Sequence, residues 1–138
     1  MNLTWIESAQ QRGFDEVILL NERGEVAECT SANIFASRGN VVWTPPLSSG
    51  CLPGITREVL LGEIQEPGIR LEEHTLMPAD LEAADEVFIT STTRDLLPVT
   101  RIEDRAVGKP GDVCTRLRTA FQRYVGAYVA GRQGVPAA

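Results

Sequence analysis

The residues of this sequence that could bind a ligand or take part in catalysis fall into three polar groups. Glu28 ends one apolar segment, and Asn33 follows it five residues later. A Gly-Ile-Thr triplet at 54–56 stands directly before a segment with helical periodicity, and a Ser-Thr-Thr triplet occupies 91–93. A carboxylate can hold a proton on a basic ligand, whereas hydroxyls and the free N–H groups at a helix N-terminus suit an anion.

Each group also has a structural interpretation that the sequence leaves open. Thr56 could cap the N-terminus of the following helix without binding any ligand. The hydroxyls at 91–93 have the same ambiguity, and Glu28 alone would be an exposed acid on a strand. The Gly-Lys-Pro-Gly segment at 108–111 lacks the spacing and the Ser or Thr of a phosphate-binding P-loop, so it predicts a surface turn.

Other kinds of site are disfavoured by the residues available. His74 is the only histidine, so no zinc-ligand spacing can be assembled, and any catalytic triad would depend on this residue. Cys29, Cys51 and Cys114 are odd in number and widely spaced. This pattern indicates reduced thiols and favours a cytoplasmic protein.

The charge and hydropathy of the 138 residues argue against two classes of partner. The formal net charge is −6, whereas binding to nucleic acid or to an anionic membrane needs a basic surface. No apolar run approaches the roughly 18–20 residues that cross a bilayer. The N-terminus carries an early acid and no basic region, unlike a signal peptide. We therefore expect neither a nucleic-acid nor a membrane partner.

The elements that must position the polar groups follow from the hydrophobic periodicity. It predicts one domain over 1–138, with a frayed tail at 131–138. Mixed strands and helices without strict alternation indicate an α/β fold with much antiparallel pairing. Helices are predicted over 3–12, from 56 to just before Pro67, over 80–84 (capped by Asp80) and over 112–130, with strands over 15–21, 25–28, 31–37, 41–44, 69–75, 86–90 and 96–102.

Several segments, taken in order, resemble a known family. They are Glu-Cys-Thr-Ser-Ala-Asn-Ile-Phe at 28–35, Thr-Pro-Pro-Leu at 44–47, Leu-Pro-Gly-Ile-Thr-Arg at 52–57, Ala-Asp-Glu-Val-Phe at 84–88, the triplet at 91–93, and Pro-Val at 98–99. Over about 5–125 the sequence is similar to the cofactor-carrying C-terminal domain of the class IV, fold-type IV pyridoxal-phosphate enzymes. That family includes branched-chain and D-amino-acid aminotransferases and aminodeoxychorismate lyase.

The resemblance implies a fold and a site. The fold is a mixed, largely antiparallel sheet that forms a pseudo-barrel with packed helices. Glu28 would pair with the pyridine nitrogen of pyridoxal phosphate and keep it protonated, which makes the ring an electron sink. The other implied positions are Gly54, Ile55 and Thr56 as the phosphate cradle, Thr92 as a second phosphate hydroxyl, Leu52 against the ring face, and Thr93 near the substrate carboxylate. No metal is implied.

One residue that the resemblance requires has no match. The family's lysine, which forms a Schiff base with the cofactor, would fall N-terminal to Met1, and Lys109 is the only lysine of the sequence. The small N-terminal domain of the family would also be missing. We therefore expect the cofactor domain of a homodimeric aminotransferase that acts on a small amino acid and a 2-oxo acid, and that is inactive alone. The alternatives are an aminodeoxychorismate lyase domain and a degenerate, non-catalytic binding module.

Overall fold

The elements of the fold are taken from a computed structural model, which describes residues 3–8, 15–30, 32–91, 95–103, 105–108 and 111–133. Three α-helices and one short 3-10 helix (Leu47–Ser49) accompany the strands in this part of the chain. The helices are α1 (Ile55–Gly62), α2 (Pro78–Ala83) and α3 (Val113–Gln133). The strands are β1 (Leu3–Ser8), β2 (Asp15–Leu20), β3 (Val26–Cys29), β4 (Asn33–Arg38), β5 (Val41–Thr44), β6 (Arg70–Glu73), β7 (Glu86–Ser91), β8 (Asp95–Ile102) and β9 (Arg105–Ala106).

The strands form one mixed sheet in the order β3-β2-β1-β8-β7-β4-β5-β6, with β9 paired to β8. All of these pairs are antiparallel except β5 with β6. The parallel pair needs a crossover, and α1 lies in the connection between its two strands. The prediction of an α/β fold with a largely antiparallel sheet is therefore confirmed.

The sheet does not close into the barrel that the resemblance implies. Within the described residues, only an isolated bridge between Cys29 and Ala32 joins the end of β3 to the start of β4. A strand has two edges, and β4 uses one for β5 and the other for β7. No edge of β4 is left for a ladder with β3, and the two terminal strands of the sheet, β3 and β6, form no ladder with each other in the described part of the chain, so the sheet stays open.

Two hydrophobic cores lie on opposite faces of the sheet. The first contains Ile34, Val87 and Ile89 and extends to Leu81 of α2. The second contains Phe35 and Phe88 together with Leu60 of α1 and Leu117 of α3. The two phenylalanine rings come from paired positions of β4 and β7 and stack with centroids 5.1 Å apart. The second core therefore fixes α1 against the sheet.

Three local predictions differ from the structure. Residues 3–8 form β1, which pairs with both β2 and β8, so the helix predicted there is wrong. The segment contains Thr, Trp and Ile, which favour strands, and it can pair with β2 on one side and β8 on the other. These two effects outweigh its weak helical preference. Asp80 is the third residue of α2 and accepts the Met77 N–H (2.7 Å), so it does not occupy the cap position. Helix α3 continues to Gln133, into the predicted tail.

None of the helices in the described part of the chain is both long and apolar enough to cross a bilayer.

The start of α3 is capped by a side chain from the sheet. The carboxylate of Glu86 on β7 accepts the N–H of Val113 at 2.9 Å and that of Cys114 at 3.2 Å. These N–H groups have no partner within the helix, and a negative charge there also interacts favourably with the helix dipole. Glu86 therefore links α3 to the strand that carries the second core.

Replacing Glu86 tests this link. We expect Glu86→Ala to lower the free energy of unfolding by about 1–2 kcal/mol, because two buried N–H groups lose their acceptor. Glu82→Ala is the matched control, since Glu82 pairs with Arg105 on the surface and should change stability by less than about 0.5 kcal/mol. Urea denaturation measures both variants. Equal stabilities of the two would show that Glu86 is not a cap.

Candidate functional site

Glu28 and Asn33 meet at the backbone of Leu52. Glu28, near the end of β3, accepts the Leu52 N–H through Oε1 at 2.8 Å. Asn33, at the start of β4, donates from Nδ2 to the Leu52 carbonyl at 2.9 Å. Two strands thus hold the two peptide groups that flank Leu52, which fixes the loop that leads into α1.

Gly54 allows this loop to approach β4. A Cβ on Gly54 would lie 2.3 Å from Oδ1 of Asn33, which is far inside van der Waals contact. Asn33 is buried and short, so its amide cannot move away easily. The backbone at Gly54 can therefore pass beside the Asn33 amide only because this residue has no side chain.

The cap residue of α1 is a glycine. Gly54 has no side chain, so it cannot accept a hydrogen bond from the first turn as Ser, Thr, Asn or Asp would in its place. Thr56 is the second helical residue and is buried, so its interpretation as the helix cap is wrong. A helix start without a capping side chain leaves backbone N–H donors that an anion can use.

Two apolar side chains beside this helix start are exposed. Leu52 is 70% exposed and Ile55 is 69% exposed, although both stand next to buried residues of the same loop. The site thus combines a helix start with glycine at its cap position, a half-buried carboxylate and two apolar side chains that a flat ligand could cover. The predicted residues Glu28, Leu52, Gly54, Ile55 and Thr56 lie in this one region, whereas Thr92 and Thr93 fall outside the described residues.

A buried hydroxyl that the sequence did not single out adds to this region. Thr90 of β7 pairs with Leu96, a residue of the second core, and therefore faces the side of the sheet that α1 covers. It is 1% exposed, and Oγ1 has no hydrogen-bond partner among the described residues. Its only signal in the sequence is its place directly before the Ser-Thr-Thr triplet.

The cysteines do not supply a nucleophile. All three are buried and none forms a disulfide, as the spacing predicted. Burial raises the pKa of the Cys114 thiol to about 11. Burial, with the nearby Glu16 and Glu28 carboxylates, raises the pKa of Cys29 well above its usual value, and burial also raises the pKa of Cys51. A thiol that stays protonated is a poor nucleophile.

His74 lies away from the site. Its ring packs on Trp43 with centroids 5.0 Å apart, and its backbone N–H donates to the Thr44 carbonyl at 2.9 Å. Among the residues described, no group of three or more His, Cys, Asp or Glu side chains could hold a metal ion. The candidate site therefore depends on backbone donors, a carboxylate and hydroxyls.

The close approach at Gly54 can be tested by a single methyl group. We expect Gly54→Ala to lower the free energy of unfolding by roughly 1–3 kcal/mol, because the new Cβ displaces Asn33 from the Leu52 carbonyl. The φ of Gly54 is −57°, which alanine adopts readily, so the cost would come from the contact and not from the backbone.

Gly62→Ala is the matched control within the same helix. A Cβ on Gly62 meets no atom within 4 Å, so this variant should be as stable as the parent or up to about 1 kcal/mol more stable. Thermal and urea unfolding measure both. If Gly54→Ala behaves like Gly62→Ala, the loop is not held against Asn33.

The chain matches a family of known proteins. Residues 2–102 match the family described as amino-transferase class IV. The D-alanine aminotransferase of Bacillus licheniformis is 38% identical over 121 residues, which cover 86% of this chain and 42% of that protein. The branched-chain-amino-acid aminotransferase of Escherichia coli (strain K12) is 36% identical over 115 residues, which cover 82% and 37%.

Solved structures agree with the sequence comparison. The branched-chain aminotransferase of the thermophilic archaeon Thermoproteus uzoniensis, solved with norvaline, superimposes with a TM-score of 0.74 at 38% identity, covering 83% of this chain and 38% of that one. The chain thus spans about two fifths of the length of these relatives. Enzymes of this family depend on pyridoxal phosphate. From the family match, the sequence identity and the shared fold, this chain belongs to the class IV aminotransferases.

Proposed function

We propose that this chain supplies the cofactor-binding part of a pyridoxal-phosphate-dependent aminotransferase that acts on a small amino acid and a 2-oxo acid. The observation that carries the proposal is the position of the Glu28 carboxylate beside the start of α1, to which it is joined through its hydrogen bond with the Leu52 N–H. The relatives named above are aminotransferases, so transfer of an amino group is favoured over the lyase reaction.

A phosphate group suits the start of α1. The helix N-terminus presents backbone N–H groups and the positive end of the helix dipole, and both favour an anion. Gly54 adds no side chain at the start of this helix, and Thr56, two residues later, carries a hydroxyl in the first turn. In this proposal the backbone of Gly54, Ile55 and Thr56 binds the phosphate.

A pyridine ring suits the space beside Glu28. One oxygen of Glu28 accepts the Leu52 N–H, and the other, Oε2, makes no hydrogen bond to a described residue. We assign Oε2 to the pyridine nitrogen, where a carboxylate holds a proton. Leu52 then covers one face of the ring and excludes water from it, which also accounts for the exposure of this apolar side chain.

The cofactor, when bound, supplies an electron sink that lets an amino group leave an amino acid and return to a 2-oxo acid. Residues of this chain hold and orient it: Glu28 at the ring nitrogen, the start of α1 at the phosphate, and Leu52 on the ring face. We further propose that Thr92 assists at the phosphate and Thr93 at the substrate carboxylate.

We assign the remaining groups needed for the reaction to the part of the relatives that this chain does not span. We propose that the lysine of the family, which carries protons during the reaction, lies N-terminal to residue 1 together with a small domain that closes the site. The chain alone would then bind the cofactor weakly and would not turn over. We also propose a homodimer, as the resemblance implies.

A hydroxyl deletion tests the phosphate assignment. We expect Thr56→Val to weaken binding of pyridoxal phosphate by about 5- to 100-fold, the range for one lost hydrogen bond to a charged group. Binding of pyridoxal, which has no phosphate, should not change. Thr119→Val is the control, because it makes the same substitution at an exposed position of α3.

Titration calorimetry on the folded chain measures these affinities, with inorganic phosphate as a competitor. The assignment would be contradicted by a parent chain that binds pyridoxal and pyridoxal phosphate equally well. It would also be contradicted if Thr56→Val and Thr119→Val had the same affinity for pyridoxal phosphate.

A further inference from the structure

We propose that Arg57 is a positioning residue that holds the first turn of α1 in the orientation that binds the phosphate. This inference rests on the proposed function, because it concerns how the same helix start is kept in place. Arg57 is the third residue of α1 and follows directly after the triplet assigned to the phosphate.

The guanidinium of Arg57 connects α1 to two other segments. Nη2 donates to the Pro45 carbonyl at 3.0 Å, just beyond the end of β5, and to Oε2 of Glu73 at the end of β6. Nη1 donates to Oε1 of Glu58 at 3.0 Å. A single side chain thus ties the helix start to the ends of both strands that α1 connects.

The burial of Arg57 indicates a specific role. It is 1% exposed and is the largest of the side chains that the described structure buries almost completely, whereas its acidic partners Glu58 and Glu73 are each about half exposed. Nε has no hydrogen-bond partner among the described residues. Burying a cation with one donor unsatisfied is costly, and apolar side chains of similar size would pack more favourably.

The position of Arg57 in the helix leads to the same conclusion. A cation in the first turn opposes the helix dipole, so Arg57 does not stabilise α1 through local electrostatics. The same positive charge close to the helix N-terminus favours an anion bound there. Its fixed contacts with Pro45 and Glu73 also prevent the first turn from rotating or fraying, which would misdirect the N–H groups.

Arg57 and Asn33 hold the two ends of the segment 52–57. Asn33 holds the Leu52 carbonyl on the β4 side, before the helix begins. Arg57 holds the first turn on the side of β5 and β6, after the helix has begun. Cys51 lies between them, with Sγ 3.6 Å from the Pro45 carbonyl that Arg57 also uses. The orientation of residues 54–56 therefore depends on both contacts.

Two substitutions separate positioning from simple stability. Arg57→Met keeps an apolar stem of similar length but removes the charge and the hydrogen bonds. Arg57→Lys keeps the charge but replaces the two donor nitrogens, Nη1 to Glu58 and Nη2 to Pro45 and Glu73, by a single one. Arg70→Met is the control, because it removes the same charge from a side chain that is 73% exposed.

Inorganic phosphate affinity and backbone hydrogen exchange over 47–62 are measured on the folded chain. We expect Arg57→Met to lower phosphate affinity tenfold or more and to speed exchange in the first turn of α1. Arg57→Lys should restore the affinity only in part, and Arg70→Met should match the parent in both measurements. Should Arg57→Met fail to fold, Arg57→Lys provides the test, since it is expected to lose threefold or more in affinity.

The outcomes distinguish this inference from the proposed function. If the parent chain does not bind phosphate, the proposed function is wrong, and the exchange data still show whether Arg57 orders the helix start. If the parent binds phosphate and a folded Arg57→Met or Arg57→Lys variant binds it equally well, the positioning role is wrong and the proposed function stands.

Discussion

The arrangement of the candidate site depends on the two hydrogen bonds that hold the backbone of Leu52. Glu28 accepts its N–H and Asn33 donates to its carbonyl, so a loop residue is held by β3 on one side and by β4 on the other. These bonds fix the residues directly before α1, while Asn21 holds the earlier part of the same connection by donating to the Ser49 carbonyl at 3.0 Å. The direction in which α1 leaves the loop therefore depends on the contacts at Leu52.

The sheet topology brings the required residues to one end. Because β4 is antiparallel to both β5 and β7, the start of β4 lies beside the carboxyl ends of those two strands. Helix α1 starts on the chain that leaves the carboxyl end of β5, and the bridge from Cys29 to Ala32 brings the end of β3 to the same place. A carboxylate, a helix start and the carboxyl end of β7 therefore lie at one end of the sheet.

The sequence predicted the fold well where periodicity and pairing agree. Strands β2, β4, β5 and β8 and helix α3 follow from alternation or helical spacing, with small differences at their ends. The prediction for residues 3–8 was wrong, because pairing with β2 and β8 decides that segment and neither partner is local. Closure of the sheet also could not be decided from the sequence, since it depends on whether the terminal strands β3 and β6 pair, and no local pattern specifies that.

The sequence proposed members of the site but not their geometry. The motifs identified Glu28 and the residues at 54–56, but the contact between Gly54 and the Asn33 amide needs coordinates. Arg57 carries a charge, and charged side chains are mostly exposed in proteins, whereas the structure shows that this one is buried. Its position follows from the crossover between β5 and β6, which no local pattern specifies.

Nuclear magnetic resonance on the isotope-labelled chain tests most directly whether the start of α1 and Glu28 bind pyridoxal phosphate. We expect added pyridoxal phosphate to shift the backbone amide signals of Gly54, Ile55 and Thr56, and excess inorganic phosphate to reverse these shifts. The amide of Gly126, on the exposed part of α3, should not move. Shifts confined to residues away from 28 and 52–57, or no shift at all at millimolar cofactor, would contradict the account.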